Sequence, residues 1–300
     1  MKDSLLKQNV VDLPSLFSLE FKPARLTKAI DWHGHLNFAA WCIELSRPKS
    51  IVELGVFRGD SLSTFSQASS ELKLDCKIVG IDTWQGDNTT GIYGEEVYSE
   101  LNDFISISYP GTILQRCLFE DAVSDFEDES IELLHIDGCH TYEAVRSDYE
   151  TWLPKVSKKN GIILFHDIAV EQEGFGTRKF WREARSDFPS FDFVHSNGLG
   201  VLLVGQEQPD VFKLLTENNA ALQRVRAIFE LASSALVYRA KMNWWKEEAS
   251  RAASYANVVE NQLSARISDM ISTHLQNHLS STGQSKGIMY RFVSKFKRAF

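Results

Sequence analysis

The chain has 300 residues, of which 43% are hydrophobic and 24% are charged, and its formal net charge is -8. This is the composition of a globular protein with enough apolar side chains for a sizeable core. The length allows one large domain with an appendage, or two domains. The negative net charge argues against a global electrostatic attraction to nucleic acid, so we expect no nucleic-acid partner.

The sequence shows no sign of export or of a membrane span. The N-terminal residues lack the continuous apolar region and small-residue cleavage site of a secretory signal. No stretch approaches about 18 uninterrupted apolar residues. The cysteines are widely scattered and contain no C-x-x-C pair, so neither a zinc site nor a disulfide framework is indicated. We therefore expect a cytoplasmic protein with reduced thiols.

Three regions differ in character along the chain. Residues 1–49 form a mixed, partly helical lead-in that includes the apolar run Leu36–Leu45. Residues 50–205 alternate short apolar runs with amphipathic stretches. Residues 206–300 read as a helical C-terminal extension, because proline is absent after Pro209 and apolar residues recur at helical spacing.

The middle region has the pattern of an α/β fold. Helix-like segments such as Leu62–Leu72, Tyr142–Leu153 and Thr177–Phe188 separate most of the candidate strands. Such alternation predicts a mostly parallel sheet with helices on both faces. The last two strands flank Asn197-Gly198, which favours a hairpin. The candidate strands are Ser50–Leu54, Lys77–Ile81, Thr112–Arg116, Ile131–Ile136, Gly161–Phe165, Phe191–His195 and Gly200–Val204.

The C-terminal extension has two apolar patterns and a basic end. One helical face carries Leu222, Val225, Phe229, Ala232 and Leu236. A looser, heptad-like stripe follows, and it predicts either a helix packed on its own domain or a short coiled coil, with homo-oligomer formation as one outcome. Its members are Val259, Leu263, Ile267, Met270 and Leu275.

Residues 286–300 read as a basic amphipathic helix. Apolar residues alternate there with five basic ones, and no acidic residue is present. Two interpretations stay open: peripheral contact with an anionic membrane surface, or docking on the chain's own domain or a partner.

The first chemical motif is the segment Glu53-Leu54-Gly55-Val56-Phe57-Arg58-Gly59-Asp60-Ser61. A strand ends on Gly55, and a helix starts after Gly59 with Ser61 near its cap, where free backbone N–H groups can bind a ligand. The spacing G-x-x-x-G differs from the G-x-G-x-x-G of dinucleotide enzymes, which argues against a nicotinamide dehydrogenase. Glu53 at the strand end would repel a pyrophosphate and favours a ligand with a cationic amine.

A second motif follows the next strand. Asp82 ends that strand and is followed by Thr83 and Trp84. An acid at this place can accept both ribose hydroxyls of a nucleoside. Trp84 is a candidate for packing on the base, and Thr83 belongs to the same candidate site. The alternative interpretation is a turn-forming aspartate.

Acids and histidines also follow two later strands. Asp137 and His140 come after Ile131–Ile136, and His166-Asp167 comes after Gly161–Phe165. The carboxylates, with or without His166, could bind a divalent cation such as Mg²⁺ or Mn²⁺. A neutral His140 could remove a proton from a hydroxyl. The alternatives are helix-capping acids and a core histidine.

The order ELGVFRGDS, IDTWQGD, LHIDGCHTYEAVRSDYETWLP and GIILFHD resembles the class I S-adenosylmethionine-dependent methyltransferases, in particular the bacterial metal-dependent sugar O-methyltransferases of macrolide-sugar and surface-polysaccharide type. The likeness covers roughly Asp31 to Gly205, and the lead-in DWHGHLNFAAW shares it, so His33 and His35 either border the substrate pocket or pack structurally. The resemblance implies a Rossmann-like, seven-stranded sheet with S-adenosylmethionine over Glu53–Ser61 and Asp82.

The same resemblance implies a magnesium site at Asp137 and Asp167, with His140 as the base. Relatives tend to have two adjacent acids, or an acid and an amide, after the later strand, whereas this chain has His166-Asp167. Either His166 shifts the preference toward Mn²⁺, or it is not a ligand. The expected activity is methylation of a sugar hydroxyl during synthesis of a bacterial glycan. The alternative is a non-catalytic nucleoside-binding module that acts through its C-terminal helices.

Overall fold

The protein is described from a computed structural model. The structure describes residues 14–87 and 91–282, and for residues 87 and 275–282 it describes the backbone alone. Contacts between residues divide the chain into two compact units, Met1–Lys241 and Met242–Phe300.

A seven-stranded, mostly parallel sheet forms the centre of the first unit. Its strand order is β5-β2-β1-β6-β7-β9-β8, and only the β7–β9 and β9–β8 pairings are antiparallel. A separate two-stranded hairpin joins β3 to β4. The predicted Rossmann-like fold is confirmed. The strands are β1 (Ser50–Leu54), β2 (Lys77–Asp82), β3 (Gly86–Asp87), β4 (Gly91–Ile92), β5 (Thr112–Arg116), β6 (Leu133–Ile136), β7 (Ile162–His166), β8 (Ser190–Phe193) and β9 (Leu199–Leu203).

Helices cover both faces of the sheet. Successive strand residues point to opposite faces, so Ile51 of β1 joins one hydrophobic cluster and Val52 joins the other. The described helices are α1 (Leu16–Leu19), α2 (Leu36–Ser46), α3 (Asp60–Glu71), α4 (Glu95–Ser108), α5 (Phe119–Ala122), α6 (Tyr142–Trp152), α7 (Thr177–Ala184), α8 (Asp210–Glu217) and α9 (Asn219–Thr282), with short 3-10 turns at Ile30–His35, Val123–Asp125 and Leu153–Lys155.

The observed bounds of β6 and β7 differ from the predicted ones because pairing with neighbouring strands sets where each strand begins and ends. Ile131 forms only an isolated bridge with Val156, so β6 begins at Leu133. At the other end of the sheet His166 pairs with Leu199, which extends β7 through the histidine. His166 is therefore the last residue of a buried strand rather than the first residue of a loop.

The compact unit that contains the sheet extends to Lys241, beyond the predicted domain end at Gly205. Phe212 of α8 and Phe229 of α9 are fully buried, and both pack against Phe38 and Trp41 of α2. Most of the predicted apolar face of α9 is buried in this unit, because its residues recur on one side of the helix.

The second unit begins at Met242, and its described part belongs to α9. From there to His274 almost all side chains are exposed. None of the described helices has the length and apolar character needed to cross a membrane. The predicted basic tail, residues 286–300, lies outside the described residues.

Candidate functional site

Sequence-predicted residues from four strands meet at one edge of the sheet. Parallel strands bring their carboxyl ends together, which is where open α/β sheets bind ligands. Gly55 and Asp137, at the ends of neighbouring strands β1 and β6, line two adjoining cavities of about 310 Å³ and about 400 Å³. We call them the first and the second cavity. Asp82, Thr83, Phe119 and Asp148 line only the first, whereas Ser61, His140, His166 and Asp167 line only the second.

The glycines of the first motif allow close backbone approaches. Gly55 has φ +87°, and a Cβ there would lie 2.1 Å from the carbonyl oxygen of Asp137. Gly59 has φ +77°, and a Cβ there would lie 2.4 Å from Leu101 Cδ1 of α4. Any other residue would therefore be strained at both places, and at Gly55 it would also push β1 away from β6.

Asp82 holds the turn after β1 through backbone hydrogen bonds. Its Oδ2 accepts the backbone N–H groups of Val56 (2.9 Å) and Phe57 (2.8 Å), and its Oδ1 accepts that of Trp84 (2.7 Å). Three donors fix this carboxylate at the wall of the first cavity. Oδ1 accepts only one of these donors and retains acceptor capacity, so Asp82 can still receive a ligand hydroxyl.

Trp84 lies beneath the turn and does not line either cavity. The side chain is 1% exposed, its Nε1 donates to the Phe57 carbonyl oxygen (2.9 Å), and its ring packs against Tyr98. Phe57 lines both cavities instead. Phe57 has φ +48°, a conformation that costs a bulky residue about 1–3 kcal/mol and that the contacts with Asp82 and Trp84 maintain.

Glu53 is buried under the second cavity. It accepts hydrogen bonds at Oε1 from the Ser61 hydroxyl and from Nδ1 of His135 (2.7 Å). Trp32 Nε1 donates to Nε2 of His135 (3.2 Å), so Nδ1 of the neutral ring carries the proton that Glu53 accepts. Burial raises the pKa of Glu53. Its Oε2 makes no hydrogen bond within the described residues, and Ser61 is the member of this pair that reaches the cavity wall.

Two acids and two histidines form one cluster in the second cavity. Nε2 of His140 lies 2.6 Å from Asp167 Oδ2 and 3.6 Å from Asp137 Oδ1. Nδ1 of His166 lies 3.1 Å from Asp137 Oδ1 and 3.5 Å from Asp167 Oδ1. Asp137 and His166, which are 29 positions apart in the sequence, thus meet because β6 and β7 are neighbours in the sheet.

The charges within this cluster shift its proton affinities. Burial lowers the pKa of His140, but the hydrogen bonds and charges of Asp137 and Asp167 outweigh it and raise that pKa to about 10. The same opposition raises the pKa of His166 to about 9. Burial raises the pKa of Asp137, and the histidines more than reverse this, leaving it well below the usual value. The positive charges of the two protonated histidines therefore offset the negative charges of the two acids when no other cation is bound.

The cluster fits a divalent cation. One ligand atom from each of Asp137, His166 and Asp167 lies within 4.8 Å of the others. Nε2 of His166 donates to the Ser196 carbonyl oxygen (3.2 Å), which directs Nδ1 at the acids, as in metal-binding histidines. Oδ1 of Asp167 is buried and makes no hydrogen bond within the described part of the chain. A cation would satisfy that oxygen.

His140 is held in place by the segment that follows β7. Its ring stacks on Phe175, with centroids 4.8 Å apart and planes 14° apart. Its carbonyl oxygen accepts the N–H of Gly176 (2.7 Å), the residue that caps α7. Phe175 also lines the second cavity. Nothing in the sequence marks Phe175, because it lies in a loop without periodicity.

Several lining residues were not predicted. Phe119 and Asp148 line the first cavity; Asp31 and Trp32 line the second. Phe119 approaches so closely that a Cβ at Gly138 would lie 2.5 Å from its ring. Burial, with the charge of Glu120, raises the pKa of Asp148 to about 7. The sequence offers two signals for these residues: Phe119 lies just past β5, and Asp148 is one of the acids of α6.

His33 and His35 take the packing role left open by the sequence. Both are fully buried and neither lines a cavity. Nε2 of His33 contacts Asp60 Oδ1 (3.1 Å), and Nε2 of His35 contacts the Ser196 carbonyl oxygen (3.0 Å). His35 thus helps to fix the carbonyl group that orients His166.

Comparisons with known proteins find a methyltransferase domain in this part of the chain. Residues 52–168 match the family model described as a methyltransferase domain. The uncharacterized protein y4gI of Sinorhizobium fredii is 40% identical over 176 residues, which are 59% of this chain and 19% of that protein. The chain thus spans about a fifth of the length of that relative.

Solved structures with a similar fold include three methyltransferases. The O-methyltransferase NovP is 17% identical, with a TM-score of 0.46 and coverage of 58% of this chain and 80% of NovP. The calicheamicin methyltransferase CalS11 is 16% identical, with a TM-score of 0.45 and coverage of 69% and 86%. The SAH-bound methyltransferase PaMTH1 of Podospora anserina is 14% identical, with a TM-score of 0.45 and coverage of 62% and 91%.

Proposed function

We propose that this chain transfers the methyl group of S-adenosylmethionine to a sugar hydroxyl, with help from a divalent cation, in the synthesis of a bacterial glycan. One observation carries the proposal. The cluster of Asp137, His140, His166 and Asp167 lines the second cavity, its member Asp137 also lines the first, and all four residues lie inside the part of the chain that matches a methyltransferase domain.

The first cavity suits the nucleoside end of S-adenosylmethionine. Asp82 and Thr83 offer acceptors for the ribose hydroxyls, and the ring of Phe119 offers an apolar surface for the adenine. The methionine end would extend past Gly55, where no side chain intervenes, toward Ser61 at the start of α3. Glu53, through its bond to Ser61, would orient that hydroxyl and add negative charge beneath a cationic amine.

The second cavity suits a polar acceptor. Arg58, Gln172 and Asn197 supply hydrogen-bonding groups, and Trp32 and Phe175 supply aromatic surface. Flat apolar faces beside several donors and acceptors match a sugar, which has both C–H faces and hydroxyl edges. A purely apolar acceptor would cover the polar side chains of Gln172 and Asn197 without offering them a hydrogen bond, which is costly.

The transfer is a displacement at one carbon. The acceptor oxygen forms a bond to the methyl carbon while the methyl–sulfur bond breaks, and sulfur keeps the electron pair. In its neutral form His140 receives the hydroxyl proton at Nε2, the atom that lies beside the acids. The enzyme's main contribution is to place the oxygen in line with the methyl group.

Asp137, Asp167 and Nδ1 of His166 would hold the cation. When bound, a divalent cation polarises a hydroxyl oxygen and stabilises the developing negative charge. The imidazole ligand favours Mn²⁺ over Mg²⁺, because magnesium prefers oxygen ligands. Two carboxylates paired with a cation would also exert less pull on the proton of His140.

The experiment is titration calorimetry with S-adenosylmethionine, followed by methyl transfer from labelled S-adenosylmethionine to a panel of nucleotide sugars, with a catechol as the non-sugar acceptor. We expect binding, and methylation of a sugar that increases with Mn²⁺. Absence of binding would instead favour a non-catalytic module acting through its C-terminal helix. Methylation of the catechol alone would refute the sugar acceptor.

We also propose that the protein acts in the cytoplasm. A glycan precursor and S-adenosylmethionine are both available there. The basic segment 286–300, outside the described residues, would bring the enzyme to a lipid-linked acceptor at the inner membrane face. Liposome co-sedimentation of chains with and without residues 284–300 tests this, and equal binding of the two chains would remove the membrane contact.

A further inference from the structure

The described helix of the second unit exposes large apolar side chains. Trp245 is 61% exposed and Leu263 is 53% exposed. From Met242 to His274 no described side chain is buried, although a few are partly covered. Isolated helices gain little stability from propensity alone and depend on packing of an apolar face. We therefore expect a partner to cover the apolar face of this segment.

Part of the apolar surface follows a seven-residue repeat from Met242 to Leu263, whereas Trp244, Tyr255 and Val258 lie outside that repeat. A repeat of this kind, with two apolar positions in each heptad, is typical of a coiled coil when it is not covered by its own domain. The first position (a) contains Met242, Ala249, Ala256 and Leu263, and the second (d) contains Trp245, Ala252 and Val259. Arg266 ends the repeat at the next d position.

We propose that two copies of this chain associate through residues 245–263 as an antiparallel pair of helices, with the two-fold axis at the level of Ser254. The proposal concerns assembly and is independent of the proposed methyl transfer.

Charge complementarity identifies the partner as a second copy and sets its direction. Lys246 and Glu260 both occupy the position after d (e), which flanks the apolar stripe, and both are exposed. When one helix is reversed, e positions face e positions, so Lys246 of each copy lies opposite Glu260 of the other. Two identical ion pairs result. In a parallel pair Lys246 would instead face Lys241 of the second copy, and the like charges would repel.

The apolar layers also fit this arrangement. Trp245 would pack against Leu263 of the second copy, and Ala249 against Val259. The central layers would pair Ala252 with Ala256, and their small side chains would let the two helices approach closely. The largest side chain thus meets a large aliphatic partner, whereas a parallel pair would place Trp245 against itself and leave alanine layers beside it.

The experiment measures self-association of the full chain by sedimentation equilibrium and light scattering. We expect a dimer. Lys246→Glu and Glu260→Lys should each raise the dimer Kd by roughly five- to thirty-fold, because two attractive pairs become repulsive. The double reversal, Lys246→Glu with Glu260→Lys, should restore the original Kd. Glu247→Lys, on the exposed outer face of the helix, is the matched control and should change little.

Each other result would overturn the proposal. A monomer at every concentration removes the dimer. A lower Kd for Lys246→Glu indicates a parallel pair, since the introduced carboxylate would then attract Lys241 of the second copy. A dimer insensitive to both reversals assembles through another surface. Circular dichroism and the Tm of each variant show whether the chain remains folded, and S-adenosylmethionine binding by the monomeric variants separates this proposal from the proposed function.

Discussion

The two cavities are built from different kinds of interaction. In the first, backbone N–H groups hold the central acid, Asp82, so its position depends on the chain rather than on a ligand. In the second, four ionisable side chains hold one another, and both histidine pKa values rise as a result. The first cavity is therefore preformed. The second cavity has a charge state that depends on what binds there.

The largest expected effect separates chemistry from cofactor binding. His140→Ala should reduce methyl transfer by about 10²–10⁴-fold, because it removes the proposed proton acceptor. It should leave the Kd for S-adenosylmethionine nearly unchanged, since the proposed cofactor contacts, among them Asp82, Phe119 and Ser61, do not include His140. Steady-state kinetics and calorimetry measure the two quantities. Activity equal to that of the parent chain would refute the assignment of the base.

For Asp82 in the first cavity, by contrast, one substitution should lower both the affinity for S-adenosylmethionine and the free energy of unfolding. Asp82→Ala leaves three buried or partly buried N–H groups without their acceptor, so we expect a loss of about 3 kcal/mol in the free energy of unfolding. The Kd for S-adenosylmethionine should rise at least about tenfold.

Urea unfolding and calorimetry test the Asp82 prediction. Asp103→Ala, on the exposed face of α4, is the control that should leave both values unchanged. Weaker binding with unchanged stability would show that the hydrogen bonds of Asp82 do not hold the turn.

The acid and histidine cluster should respond to metal, and the first cavity should not. Mn²⁺ should raise the Tm of the parent chain, because it binds the folded cluster and not the unfolded chain. Asp167→Asn and His166→Ala should each remove most of that rise. A differential scanning measurement with Mn²⁺ and with chelator gives the answer. An equal rise in both variants would place the metal elsewhere.

The smallest effect concerns Asp148 in the first cavity. Its folded pKa of about 7 lies above the ordinary value of 3.8, so ionisation opposes folding above pH 7. Asp148→Asn should stabilise the protein by about 1–2 kcal/mol at pH 8, less than the full shift implies because the side chain is partly exposed. The gain should shrink as the pH falls from 7 to 4. Chemical unfolding at pH 8 and pH 5 measures it, and a gain that does not depend on pH would contradict the assigned pKa.

The sequence identifies cavity-lining residues at the ends of strands more readily than cavity-lining residues that come from other segments. Asp82, Asp137 and Asp167 follow apolar runs, and parallel pairing alone brings them to one edge. Phe119 and Phe175 lie in segments without periodicity, so only the path of the chain shows that they face the cavities. The position of Trp84 beside Asp82 predicts contact with the base, but the side chain is buried beneath the turn, where Nε1 donates to the Phe57 carbonyl oxygen.

The sequence by itself determined the order of strands and helices, the glycine turn and the acids at the strand ends, because local patterns and backbone constraints specify them. Tertiary structure alone decided which of those side chains reach a cavity, since burial depends on distant neighbours: Glu53 lies beneath the wall that Ser61 forms. It also decided the two roles of α9. Val225 and Phe229 are buried in the first unit, whereas Trp245 and Leu263 stay exposed, although both sets have the same kind of helical spacing.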